Sequence, residues 1–337
     1  MPKKALTDMS HTVSAVSVSG VTKVFSQWQR DNTGKGILQN LLKPEKRVIC
    51  ALENVSFNIK RGEFVAYAGP NGAGKSTTMK LLSGMLLPTS GEISVLDLSP
   101  QKERRVLMKH LGVLFGNRTE LWWDHPVIQS FEWKKIVWDI PDAVYRKNLS
   151  MTVELLDIGD LLKTFARELS LGQRMRADLA MLLLHDPTLI LLDEPTLGLD
   201  VVAKRQMIEF LKKINRERGV TIIVTSHDMD DLEEMAQRIL MISNGRIAYD
   251  GSFAGLRDIT GNLTRFMVTM EAGSVPALRD AKLISAENGI FLFEADVTQK
   301  PVKQMLKQLS DFEGVKDVEI RKAPIEQVIA GLYKSWK

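Results

Sequence analysis

One cysteine, Cys50, stands alone among 337 residues, so no intramolecular disulfide can form and the chain suits a reducing compartment. A thiol without a partner reads as a small buried hydrophobe. No apolar run reaches the roughly 18 residues that a membrane-spanning helix requires. The N-terminal MPKKALTDMSHTVSAVSVSG also lacks a continuous apolar stretch of signal-peptide length. The chain is therefore expected to be cytoplasmic and soluble, reaching a membrane only through partners. Neither sign of charge dominates: 45 Lys plus Arg against 41 Asp plus Glu leave +4, which gives no support to a nucleic-acid surface. With 44% hydrophobic and 26% charged residues, general disorder is excluded. The length exceeds what one core usually serves and predicts a large domain plus an appendage.

Beyond a tail at residues 1–13, SAVSVSGVTKVF and ALENVSFNIKRGEFVAYAG carry β-branched residues in rough alternation. They predict a small, largely antiparallel sheet leading to a buried strand. A basic excursion at about 26–48 interrupts them, with a short amphipathic helix expected at ILQNLL. Residues from about 124 to 168 are helix-rich. Then TLILLD, VTIIVTS and ILMIS alternate with helical segments, the pattern of a parallel sheet covered by helices. Residues 262–337 change character. LTRFMVTM, GIFLFEA and VKDVEIRK read as strands around a helical PVKQMLKQLSDF, an α+β appendage without a chemical motif.

GPNGAGKS, Gly69 to Ser76, matches G-x-x-x-x-G-K-[ST] and lies between a strand and a helical run, the context a phosphate loop requires. Its glycines let backbone N–H groups converge on phosphate oxygens at a helix N-terminus. Lys75 is placed to reach the β- and γ-phosphates, and the Ser76 hydroxyl to bind Mg²⁺. LILLDEP ends an apolar strand in Asp193 and Glu194; one carboxylate can hold Mg²⁺ and its neighbour can polarise a water. Together these motifs point to nucleotide hydrolysis. In LSLGQRMRADLAMLLL, Ser170 and Gln173 stand at capping-box spacing. The helix they open either binds a second phosphate tail or is an ordinary capped helix.

These motifs, in this order, resemble the ATP-binding subunits of ATP-binding cassette (ABC) transporters over about residues 14 to 250. Gly69–Ser76 correspond to the Walker A loop, Leu189–Glu194 to Walker B, Leu169–Gln173 to the signature, GLD ending at Asp200 to the D-loop, and His227 in TSHD to the switch histidine. The resemblance implies an α/β fold with a P-loop NTPase (RecA-like) core, an antiparallel β subdomain and a helical subdomain at about 118–175. The cassette would span 14–255 and the accessory domain 262–337. ATP and Mg²⁺ are the implied ligands, held by Gly69, Asn71, Gly72, Gly74, Lys75, Ser76 and Thr77, with Asp193 at the metal. Glu194 would be the general base and His227 a γ-phosphate contact. Cassettes of this family pair head to tail, so Ser170, Gly172, Gln173 and Asp200 would serve the site shared with a second ATP-binding subunit, here in a homodimer. Phe25 matches the aromatic that stacks on adenine, with a core phenylalanine as its rival. Asn117 replaces the usual glutamine at the metal and attacking water. The amide is kept and one methylene lost, which implies preserved but altered coupling to the membrane.

FGNRTELWWD places Trp122 and Trp123 side by side, where neighbouring side chains diverge and both rings can rarely enter one core. In the family, this region receives a coupling helix from the membrane subunit, two polytopic copies of which are the implied partners, so at least one ring is expected to face a partner. Within the family, FGNRTELWWDHPV, LSLGQRMRADLAMLLLHDP and GLDVVAK look most similar to ATPases of bacterial ABC-2 type exporters, peripheral on the inner face of the membrane, whose cargoes are drugs, antibiotics or surface polymers. The alternatives are a soluble ABC ATPase acting on ribosomes or nucleic acid, disfavoured by the single set of motifs and the mild charge, and an importer subunit.

Overall fold

The computed structural model describes residues 14–28, 46–116, 119–260, 263–271, 278–297 and 301–322. The N-terminal tail, the ILQNLL segment and Asn117 lie outside the described residues. The chain forms two compact units, Met1–Asp250 and Gly251–Lys337.

The first unit opens with two long strands, β1 (Ser14–Trp28) and β2 (Lys46–Lys60), followed by the buried β3 (Phe64–Ala68). The loop after β3 leads into α1 (Lys75–Leu82) and β4 (Ser90–Val95), then a short α2 (Arg104–Met108) and β5 (Leu111–Phe115). Helices α3 (Val127–Val137) and α4 (Asp142–Leu156) precede a 3₁₀ turn at Ala166–Glu168 and α5 (Leu171–Leu183). The remainder alternates: β6 (Leu189–Asp193), α6 (Val201–Arg218), β7 (Thr221–Thr225), α7 (Met229–Met235), β8 (Arg238–Ser243) and β9 (Arg246–Ser252).

Two sheets result. β2-β1-β4 is antiparallel, as its alternating sequence predicts. The larger sheet has the order β5-β6-β7-β3-β8-β9, and β5, β6, β7, β3 and β8 run parallel. β3 and β7 are buried at every position, which explains why FVAYA and TIIVT show no polar alternation. Their side chains share one core with both sheets, including Val65, Tyr67, Leu82, Leu191, Ile223 and Leu240. The ends of α6 are written in sequence: Asp200 caps its first turn by accepting from Ala203 N–H at 2.8 Å, and Gly219 ends it at φ +63°.

Two expectations are corrected. The strand ladder of the β1–β2 hairpin runs beyond the anticipated limits of the excursion, since Ser26, Gln27 and Trp28 still pair with Val48, Arg47 and Lys46. Cys50 is exposed, not buried. It lies on this same hairpin, and its thiol donates to Leu52 O at 3.3 Å.

The second unit contains α8 (Phe253–Thr260), then β10 (Leu263–Met270), β11 (Lys282–Glu287), β12 (Ile290–Asp296), α9 (Val302–Ser310) and β13 (Val315–Lys322). The four strands form an antiparallel sheet in the order β11-β12-β10-β13. Phe266, Val268, Phe291 and Phe293 pack with Met305 and Leu309 of α9. β11 was not anticipated: all six residues of KLISAE are exposed, so it has no inward-facing row to reveal it.

Because Ile223 is buried in the interior of the parallel sheet, Ile223→Ala should lower the unfolding free energy by about 2–5 kcal/mol, measured by urea titration. A loss below roughly 1 kcal/mol would contradict the assigned core.

Candidate active site

In open parallel sheets, ligands bind beyond the carboxyl ends of the strands. The loop Gly69–Gly74 lies there, between β3 and α1. A Cβ at Gly69 would collide with the Ile242 carbonyl oxygen. Gly74 combines φ +114° with a Cβ position 2.8 Å from Ala51 O, a close approach and a backbone conformation that only glycine accommodates. The loop is thus wedged between β8 and β2, and α1 begins without a side-chain cap on its first N–H groups. Asn71, Gly72 and Ser76 are exposed and Thr77 is partly so. Lys75 is buried, and its ammonium donates to Gly69 O at 2.6 Å and Pro70 O at 3.3 Å. Burial pulls its pKa below the ordinary lysine value, while the charges of Glu194 and Asp193 act in the opposite direction.

The strand register assembles the acids. Asp193 ends β6 directly opposite Thr225 at the end of β7. Thr225 Oγ1 donates to Asp193 Oδ1 at 2.6 Å and accepts from Glu194 N–H at 3.1 Å. Glu194 has φ +58°, a left-handed conformation uncommon for a residue with a side chain. Its Oε1 lies 2.6 Å from His227 Nε2. Asp193 and Ser76 line one cavity of about 520 Å³, together with Phe115, Lys134, Trp138 and His185.

The other sequence candidates lie elsewhere. Ser170 caps α5 in a complete capping box: Ser170 Oγ accepts from Gln173 N–H at 3.2 Å, and Gln173 Oε1 accepts from Ser170 N–H at 2.9 Å. Gly172 packs beside Ala203, and Asp200 is engaged as the cap of α6. Among the described residues, no hydrogen bond joins Ser170, Gly172 or Gln173 to the phosphate loop. Phe25 is half-buried on β1, with the Lys23 ammonium 5.0 Å from its ring centroid.

The tryptophans are both partly exposed, Trp122 at 38% and Trp123 at 49%. The Trp122 ring lies 5.4 Å from that of Trp133 and 5.3 Å from His125. Trp133, Ile136 and Val137 share a face of α3, and Ile136 is 77% exposed. An apolar stripe therefore continues from Trp122 along the helix. Thr225 is the site residue that sequence reasoning missed. A threonine ending an apolar strand carries no signal by itself, and only the pairing of β6 with β7 reveals its partner.

Residues 52–197 match the family described as ABC transporter. The ABC transporter ATP-binding protein YhcH of Bacillus subtilis is 32% identical over 71% of this chain and 77% of its own length. The methionine import ATP-binding protein MetN of Corynebacterium glutamicum is 28% identical, over 84% of this chain and 76% of its own. The probable multidrug ABC transporter ATP-binding protein YbhF of Escherichia coli is 33% identical, over 68% and 39%. Among solved structures, the dimeric post-hydrolysis state of the ATP-binding cassette MJ0796 bound to ADP and Pi superimposes with a TM-score of 0.57 and 26% identity, covering 70% of this chain and 98% of that one.

Asp178 gives this region a pH dependence. It is buried on α5, and burial lifts its pKa to about 7, raised further by Glu120 and opposed by the hydrogen bonds from Thr119 and Glu120 N–H and by the charge of Arg174. Its charge in turn acts on the buried Lys134. Between the ordinary carboxylate value of 3.8 and about 7, the folded protein retains a proton that the unfolded chain releases, so stability falls as pH rises through this window. Asp178→Asn should flatten that fall, seen as a smaller drop in urea midpoint from pH 5 to pH 8 than in the parent.

Proposed function

The chain belongs to the family of ABC transporter ATP-binding proteins, and from that premise we propose that it powers an ABC-2 type exporter by closing on ATP as a homodimer beneath two membrane subunits. It is an ATP hydrolase that uses ATP with Mg²⁺. The observation that carries the chemistry is the convergence on one sheet edge of a buried ammonium, Lys75, with Asp193, Glu194 and His227.

The residues fit that ligand pair. Two glycines wedge the loop where a Cβ would collide, and the exposed Ser76 and the Asp193 carboxylate line the same cavity. Ser76 and Asp193 would hold Mg²⁺, which supplies charge neutralisation on the phosphates. Lys75 would exchange its carbonyl partners, Gly69 O and Pro70 O, for phosphate oxygens. Glu194 accepts a proton from the attacking water as the bond to the γ-phosphorus forms and the bond to the ADP oxygen breaks. His227, already 2.6 Å from Glu194, orients that carboxylate and would contact the γ-phosphate. Ser170, Gly172 and Gln173 face a second subunit's nucleotide, in keeping with their separation from this chain's own loop. The dimeric state of the MJ0796 cassette supports that reading. Phe25 would stack on adenine, and Asn117, in place of the family's usual glutamine, would contact Mg²⁺ and the attacking water.

Export rests on the ABC-2 likeness of the tryptophan loop and signature helix and on the multidrug relative; the methionine import relative keeps the opposite direction as the competing reading. Among the described residues no helix is long and apolar enough to cross a membrane. The stripe of Trp122, Trp133, Ile136 and Val137 is the surface proposed to receive them.

Trp122→Ala should release the chain from the membrane fraction of its native cell while leaving ATP binding intact, and a crosslinker at position 122 should capture a polytopic membrane protein. Capture of ribosomes or nucleic acid instead would overturn the transport reading.

A further inference from the structure

Trp123 differs from its neighbour. Its ring carries the guanidinium of Arg174, 4.5 Å from the centroid, and Arg174 belongs to the first turn of α5. At the other end of the same segment, Thr119 Oγ1 and Glu120 N–H donate to Asp178 Oδ1 at 2.9 and 3.1 Å. Arg174 and Asp178 stand four residues apart on α5 and so project from one face. The segment from Thr119 to Trp123 is therefore pinned to α5 at two points one helical turn apart.

The chain entering α5 is tied to the same loop. Arg167 pairs with Asp124 at 2.7 Å, and its backbone N–H donates to Trp123 O at 3.1 Å. Ala166 N–H donates to His125 O at 3.0 Å. Among the described residues, the one side-chain hydrogen bond of Arg174 is to Leu169 O at 3.4 Å and its Nε is buried without a partner, while its charge also acts on Asp178. Stacking on Trp123 is thus its principal anchor.

We propose that Arg174 and Asp178 are positioning residues that join the tryptophan loop and the turn Ser170–Gln173 into one rigid piece, so that displacement of the loop re-aims that turn toward the second subunit's nucleotide. This rests on the shared-site reading above. Neither residue touches substrate; both act through the orientation of the N-terminus of α5. Trp122 continues the exposed stripe of α3, whereas Trp123 grips the helix that carries Ser170 and Gln173.

The test uses full-length Glu194→Gln protein, which the proposed chemistry stalls with ATP bound. ATP-driven dimerisation is followed by sedimentation, beside binding of a fluorescent ATP analogue to dilute monomer. Arg174→Met and Trp123→Leu should each weaken dimerisation about tenfold, with the double variant no weaker than either single one. Arg174→Lys should recover most of the loss, because an ammonium can still sit over the ring. Analogue binding to the monomer should not change in any of them. Additive losses in the double variant, unchanged dimerisation, or an equal loss of monomer binding would overturn the clamp. If the Glu194→Gln parent forms no ATP-driven dimer, the shared-site reading fails first and the clamp with it.

Discussion

An ammonium stripped of water must be matched by carboxylates held close by, and Lys75 imposes that condition on the whole first unit. The acids that answer it come from Asp193 and Glu194 at the end of another strand. Only a parallel sheet in which β3, β7 and β6 lie side by side brings the phosphate loop and both carboxylates to one edge. Burial of these strands on both faces fixes that order. The placement of the loop and acids is thus a consequence of the core: Val65 and Ile223 are buried in the strands whose ends carry the loop and Thr225.

The second constraint is mechanical. On the proposed shared-site reading, a second subunit's nucleotide needs a turn of fixed aim, and Ser170 to Gln173 have a complete capping box. Their capping box fixes the turn locally, while Arg174 and Asp178 hold the helix to the loop that follows β5. The exposed apolar stripe beside Trp122 and the turn Ser170–Gln173 then share a common support. A loop that merely filled space would not need to be pinned on both sides of a helical turn.

Much of this was legible in the sequence, for reasons that are local. A phosphate loop needs glycines and a lysine at short, fixed spacing, and strands buried on both faces must be apolar throughout, so GPNGAGKS, FVAYA and TIIVT announce themselves. What depends on register or long-range contact was silent. Thr225 meets Asp193 only because β6 and β7 align, Trp123 meets Arg174 only because α5 folds back along the loop, and β11 presents no buried row. Cys50 misled, because its chemical type favours burial while its place on β2, paired with Val24, leaves it exposed. The composition of the second unit revealed its α+β character and a core around Phe266 and Phe293, but no chemistry.

The central claim is that hydrolysis occurs at a site no single copy completes. The most direct test is the ATPase rate of the purified chain as a function of its concentration through the range where dimers dissociate. The account predicts a rate that rises faster than linearly and becomes proportional to protein only once dimers predominate. A rate strictly proportional to concentration throughout that range would mean that one subunit hydrolyses ATP alone, and would contradict it.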